Sequence, residues 1–301
     1  MATTASARAS ADPAEGDGDA PLRELIAEHL GPAVRIRDLR PAGAFGAPVF
    51  VADYDRGPLH YRSLGSFGPV GAPQSTFDRV IGLSVMDLIY PERLEFPYER
   101  LLSLAFALCR RPAAALLLGV GGAAMWRFIG AHLPDCATTL VDSDPDIIAI
   151  ARRWFYLTQP VENVPADRFV AGADGNFDAI LVDLYDGGGP AEMPSEFWGD
   201  CLGALSPGGC LATNWADFGT GRVRPMAEAQ AAAARARGLS CFFITGPGAG
   251  GNTVQYAAAD GQGPESVPAA LDAFVADRNL PAEMRGMLTD CVITQNFPEP
   301  A

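Results

Sequence analysis

The stretch LLLGVGGAAMWRFIGAHLPDCATTLVDSD, residues Leu116 to Asp144, decides the fold. Leu116, Leu117 and Leu118 form an apolar run of the length of a buried strand. Gly119, Val120, Gly121 and Gly122 follow at once, and Ala123 to Ile129 reads as the start of a helix. A second apolar run, Ala137 to Val141, ends in Asp142. Strand, glycine turn, helix, strand and acid is how a doubly wound sheet builds a nucleotide site. Glycines let the backbone approach a ligand, and the helix N-terminus offers free N–H groups. An acid about 20 residues beyond the turn is placed to accept the hydroxyls of a ribose. Gly119, Gly121, Gly122, Asp142 and the adjacent Ser143 are the candidate nucleotide contacts.

The flanking chain extends the α/β pattern. Pro97 to Cys109, PYERLLSLAFALC, predicts a helix with proline in its first turn and Leu101, Leu104, Ala105 and Leu108 on its buried stripe. A further helix runs from Asp146 to Leu157, a strand from Arg168 to Ala171, and a stronger strand, FDAILVD, ends in Asp183. Ser195 to Leu205 reads as a helix capped by Ser195, and Pro207-Gly208-Gly209 as a turn before a strand at Cys210 to Thr213. An alanine-rich helix spans Pro225 to Arg237, and two strands around GPGAGGN form a hairpin. Strands alternating with helices predict a mainly parallel sheet with an antiparallel addition at the end. Before Pro97, short segments such as Pro48–Tyr54 and Leu59–Leu64 between Gly and Pro suggest a small β region, with a short helix at Leu22–Leu30 ahead of it. Residues 1–20, rich in Ala, Ser, Asp and Gly, read as a disordered tail. The expected organisation is tail 1–20, a mainly β region 21–96, and an α/β domain 97–301.

Composition narrows the function. The 301 residues are 49% hydrophobic, enough for a globular core, yet no apolar run approaches the roughly 18 residues of a membrane span. No charged, then apolar, then small-residue start suggests a secretory signal. Six scattered cysteines read as buried thiols, and a cytoplasmic location follows. The three histidines show no metal spacing, so no metal is expected. A net charge of −14 argues against nucleic acid and suits a cationic substrate.

Three acids fall near strand ends: Asp142, Asp174 and Asp183. In an open α/β sheet ligands bind beyond those ends. Asp183 and Asp186 flank Leu184-Tyr185 and are followed by three glycines. Two carboxylates so spaced can converge on one spot, one holding an ammonium while the other takes its proton. The structural alternative makes Asp183 a helix cap and Asp186 a solvated turn residue. Tyr185 is placed either to line the pocket or to pack on the surface.

GVGGAAMWRF, VDSDPDIIAIAR and DAILVDLYDGGGPAE with SEFWGDCLGALSPGGCLATN together resemble the spermidine synthase family of aminopropyltransferases. The similarity covers about Tyr98 to Tyr256, and the Asp-x-x-Asp turn before Gly-Pro-Ala-Glu is its most specific part. The resemblance implies a Rossmann-like domain of the class I methyltransferase type behind a small β domain, assembled as a homo-oligomer, commonly a dimer. It implies aminopropyl transfer from decarboxylated S-adenosylmethionine to a polyamine amine. By the same resemblance Asp142 is the ribose-binding acid, Asp174 the acid near adenine, Asp183 the base and Asp186 its partner carboxylate. Tyr98 resembles the substrate-pocket tyrosine, and Glu99 stands where the family usually has glutamine.

The chain departs from the family at the glycine turn. Gly122 stands where spermidine synthases carry an acid that holds the donor's propylamine. An acid-free turn repels the carboxylate of intact S-adenosylmethionine less. Two alternatives follow: a methyltransferase on the same scaffold, or a catalytically silent homologue that binds nucleoside or polyamine.

Overall fold

The computed structural model describes residues 19–40, 47–68, 79–109, 112–173, 176–186, 189–216, 221–246, 252–259, 261–278, 280, 284 and 286–298. The expected tail up to residue 18 and the candidate Asp174 lie outside the described residues; Ala20 already belongs to the first helix.

The chain opens with α1 (Ala20–Leu30), followed by four antiparallel strands, β1 (Arg35–Arg40), β2 (Val49–Arg56), β3 (Leu59–Gly68) and β4 (Arg79–Asp87), paired in sequence order. The apolar stretch that becomes β4 fits helix or strand by pattern; pairing with β3 settles it. One face of this sheet packs on α1 through Ile26, Phe50, Ala52 and Phe67. The other packs Val51, Leu64 and Met86 on Ile147, Ile150 and Phe155. Alternation of side chains along the strands makes both faces apolar and both covered. Buried Asp53 is offset by two guanidiniums, Arg37 at 2.6 Å and Arg62 at 2.6 Å.

The α/β part contains α2 (Pro97–Leu108), β5 (Ala114–Leu118), α3 (Ala124–His132), β6 (Ala137–Val141), α4 (Pro145–Trp154), α5 (Ala166–Ala171), β7 (Phe177–Val182), α6 (Glu196–Gly203), β8 (Leu205–Ala216), α7 (Val223–Ala236), β9 (Ser240–Thr245), β10 (Asn252–Ala258), α8 (Val267–Arg278) and β11 (Val292–Thr294). The second sheet runs β11-β9-β10-β8-β7-β5-β6. β6, β5, β7 and β8 pair in parallel; beyond them the pairings are antiparallel, so β10 and β11 run against the four and β9, between them, runs with the four. The sheet is a parallel run extended by antiparallel pairings at one side, as the sequence pattern anticipates. In β5, Ala115 and Leu117 enter one core with α2, α3 and α8, while Leu116 and Leu118 enter the other with α6 and α7. A strand buried on both faces needs the continuous apolar run seen in the sequence.

Two local expectations change. Residues Arg168–Ala171 are helical, part of α5, whose first turn follows Pro165 and carries Asp167. Pro207-Gly208-Gly209 does not precede a strand but lies within β8, where the register against β7 jumps from Phe177↔Leu205 to Ala179↔Cys210. Ser195 does stand at the N-cap of α6, but its hydroxyl bonds Glu196 rather than a backbone N–H.

Candidate active site

The carboxyl ends of β5, β6, β7 and β8 and the face of β4 enclose a cleft of about 590 Å³. That size suits a nucleoside-bearing ligand. Val80, Ile81, Gly82 and Leu83 of β4 supply an apolar wall, and the acids stand opposite.

The glycine turn leaves β5 at Gly119, whose φ is +92°. A side chain there would bring Cβ to 2.2 Å from the Asp183 carbonyl oxygen, because the β7 exit crosses directly beneath. Glycine thus answers both the conformation and the close approach. Gly121, also at positive φ, lines the cleft. Gly122 does not line it: a Cβ at that position meets Ser84 Oγ at 2.5 Å and Phe155 at 3.1 Å. The missing acid of the turn is matched by missing space.

Asp142 follows β6 and lines the cleft with Ser143. Its carboxylate accepts from Val120 N (2.9 Å) and Asp144 N (2.9 Å), which fixes the side chain against the turn. Burial still pushes its carboxyl above the ordinary range. Asp144 accepts from Asp146 N and Ile147 N, capping α4. Asp167, at the start of α5, lines the same end and was not foreseen.

Asp183 follows β7 at the cleft floor. Its Oδ1 accepts from Asn214 Nδ2 at 2.8 Å, and its Oδ2 accepts from Tyr98 Oη at 3.3 Å. Both donors are neutral. Burial raises the Asp183 carboxyl, and these hydrogen bonds pull it part of the way back. Tyr98 comes from the first turn of α2 and stacks on Phe96 at 5.6 Å between centroids. Burial and the adjacent Asp183 carboxylate drive its phenol well above the usual value.

Glu99 faces elsewhere. It does not line the main cleft but a small cavity of about 50 Å³ behind the glycine turn, where Ser84, Tyr98 and Asp183 also take part. Its Oε2 accepts from Phe96 N at 3.1 Å, closing the first turn of α2. Burial pushes its carboxyl up to about 8, with the Asp183 charge adding to the effect.

Asp186 lines the mouth of the cleft with Tyr185. Its carboxylate is not open to a substrate cation alone: Arg222 Nη1 bonds it at 2.9 Å, and Arg222 Nε bonds Glu192 at 3.3 Å. Asp183 and Asp186 therefore share the cleft but sit in different settings, one half-buried and neutral-partnered, the other exposed and ion-paired.

Asn214 and Asn252, both lining the cleft, were not foreseen. Asn214 ends the apolar run of β8 as Asp183 ends that of β7, so the strand-end rule applied to β8 finds it. Asn252 has no such signal.

No protein-family model matches the chain. Over 144 residues it is 40% identical to the polyamine aminopropyltransferase of Chromobacterium violaceum, covering 44% of this chain and 53% of that protein. The chain thus spans about half the length of the curated relatives it matches. A solved spermidine synthase in complex with the transition state analogue AdoDATO superposes with a TM-score of 0.56 at 16% identity, over 84% of this chain and 88% of that one. Human methyltransferase-like protein 13 in complex with SAH superposes at 0.51 and 19% identity, over 62% and 93%. The fold is the class I methyltransferase type shared by both, and over the matched 144 residues the chain is similar to the polyamine aminopropyltransferases.

Proposed function

We propose that this relative of the polyamine aminopropyltransferases transfers an aminopropyl group from decarboxylated S-adenosylmethionine to a small cationic amine. The observation that carries the reading is Asp183: a half-buried carboxylate at a strand end whose donors among the described residues are neutral, in a cleft that also holds Asp142. In this reading Asp142 and Ser143 take the ribose, and Gly119 and Gly121 let the donor lie against the turn. The amine nitrogen attacks the methylene carbon beside the sulfonium. The carbon–sulfur bond breaks, its electron pair stays on sulfur, and methylthioadenosine leaves. The proton shed by nitrogen goes to Asp183. A base is needed because an alkyl ammonium titrates near pH ~10 and is not nucleophilic when charged. Tyr98 orients the base, and Tyr185 with Asp186 borders the acceptor. The same reading places the enzyme in the cytoplasm, as a homodimer, with no metal, nucleic acid or membrane partner. Six unpaired cysteines and a charge of −14 support the location and the absence of nucleic acid; among the described residues no helix is long and apolar enough to cross a membrane.

One observation favours a second reading. The space around Gly122 excludes an acidic side chain in the turn, which suits a donor that keeps its carboxylate, as in a methyltransferase. Incubation with each donor and a series of diamines separates the two. Methylthioadenosine formed from the decarboxylated donor supports the proposal. S-adenosylhomocysteine formed from the intact donor overturns it, and nucleoside binding without turnover marks a silent homologue.

A further inference from the structure

Asn214 and Asn252 belong to antiparallel neighbours β8 and β10. The register pairs Asn214 with Val254 and Ala216 with Asn252, so all four side chains emerge on one face. Asn252 is the diagonal neighbour of Asn214, and the small Ala216 opposite it leaves the diagonal open. Asn252 Nδ2 donates to Asn214 Oδ1 at 2.8 Å. Asn214 Nδ2 in turn donates to Asp183 Oδ1 at 2.8 Å. In the parallel pair β7–β8 the register sets Val182 beside Thr213, which brings Asp183 alongside Asn214.

A side-chain amide has one accepting end and one donating end. An ionised Asp183 accepts only, so Asn214 must turn its NH2 toward it. Its carbonyl then faces β10 and needs a donor there. Asn252 supplies that donor. With the opposite polarity at position 252, the Asn214 amide would rotate and present its oxygen to the Asp183 carboxylate.

We propose that Asn252 and Asn214 form a directional amide relay in which Asn252, without touching Asp183, sets the hydrogen-bond polarity that holds Asp183 as an ionised, oriented carboxylate. Both are positioning residues. The role of Asp183 as base rests on the function proposed above; the relay does not. The charged and titratable neighbours of Asp183, Tyr98 and Glu99 on α2, are common to every variant below.

The test is a ¹³C carboxyl titration of Asp183 in the full chain, assigned with Asp183→Asn, for wild type, Asn252→Ala, Asn252→Asp, Asn214→Ala and the double variant Asn214→Ala/Asn252→Asp. Asn252→Ala leaves the Asn214 carbonyl to water and moves the titration by less than about half a pH unit. Asn214→Ala removes a hydrogen bond to a charged group and raises it by about 1–2 pH units. Asn252→Asp inverts the relay and raises it at least as far, although it preserves the volume at 252. In the double variant the amide that transmits the inversion is gone, so the titration matches that of Asn214→Ala. Equal shifts for Asn252→Ala and Asn252→Asp overturn the relay. An additional upward shift in the double variant also overturns it, since the effect would then be through-space charge. The Asn252 pair alone decides the matter if Asn214→Ala fails to fold. The readout needs no turnover: a relay that holds in a protein unable to transfer aminopropyl groups refutes the functional reading and leaves the relay standing.

Discussion

Replacing Glu99 by glutamine tests the electrostatics behind the glycine turn. The glutamine oxygen can still accept from Phe96 N, so the first turn of α2 keeps its closure. What changes is the proton. In the unfolded chain Glu99 titrates near 4.5, and in the fold burial moves it to about 8. Between those values the native state holds a proton that the unfolded state has released, so stability falls as pH rises through that window. At about 1.36 kcal/mol per pH unit, the difference reaches a ceiling of about 5 kcal/mol above pH 8. Glutamine carries no such cost. The two proteins should therefore unfold alike at pH 4.5–5, while the variant gains with rising pH. For a chain of this length the unfolding entropy is about 0.6 kcal/mol/K, so a gain of 2–5 kcal/mol is about 3–8 °C in Tm at pH 9. Differential scanning calorimetry across pH 5–9 measures it. Parallel Tm curves with a constant offset would show that Glu99 keeps an ordinary carboxyl, and the reasoning from burial would fail.

Three further outcomes follow from the cleft. Asp142→Ala should weaken methylthioadenosine binding by about 2–5 kcal/mol in calorimetry, since two ribose hydrogen bonds to a charged group are lost; unchanged affinity would remove Asp142 from the site. Asp183→Asn should leave donor binding nearly intact and lower the rate with an amine acceptor by about 10²–10⁴, the loss shrinking at high pH where free amine is present; loss of donor binding instead would make Asp183 a binding residue. Arg222→Ala should release Asp186 from its ion pair and lower the KM for a cationic acceptor by a few-fold in steady-state kinetics, with kcat little changed, because the bridge is partly exposed and weak; an increase in KM would mean that Arg222 itself helps to hold the acceptor.

The nucleotide half of the cleft was legible because its causes are local. A strand buried on both faces needs an unbroken apolar run, a backbone crossing needs Gly119, and the acid after β6 is held by the turn that precedes it. Local pattern misled at Arg168–Ala171, where four residues of mixed character carry no period and the proline and acid ahead of them mark a helix start. The glycines at 208 and 209 read as a turn because their role, an irregularity against β7, depends on a partner strand about thirty residues away. Val267, Leu271, Phe274 and Val275 do carry helical spacing, and α8 was there to be found. The setting of the acids was not legible. Spacing brings Asp183 and Asp186 into one cleft, but only the three-dimensional contacts place Arg222 on one and the paired asparagines behind the other.

Arg127 on α3 carries a consequence for motion. Its guanidinium donates to the carbonyls of Pro91, Gly122 and Phe155, which lie in three connecting segments far apart in the sequence. A single rigid, planar group thus acts as a rivet through the β4–α2 connection, the glycine turn and the segment after α4. None of the three can swing away without stripping a buried cation of its acceptors. Amide protons in these segments should consequently exchange with solvent as one cooperative unit rather than loop by loop. The mouth of the cleft at Asp186 is, by contrast, held by partly exposed ion pairs, which leaves it the looser of the two regions.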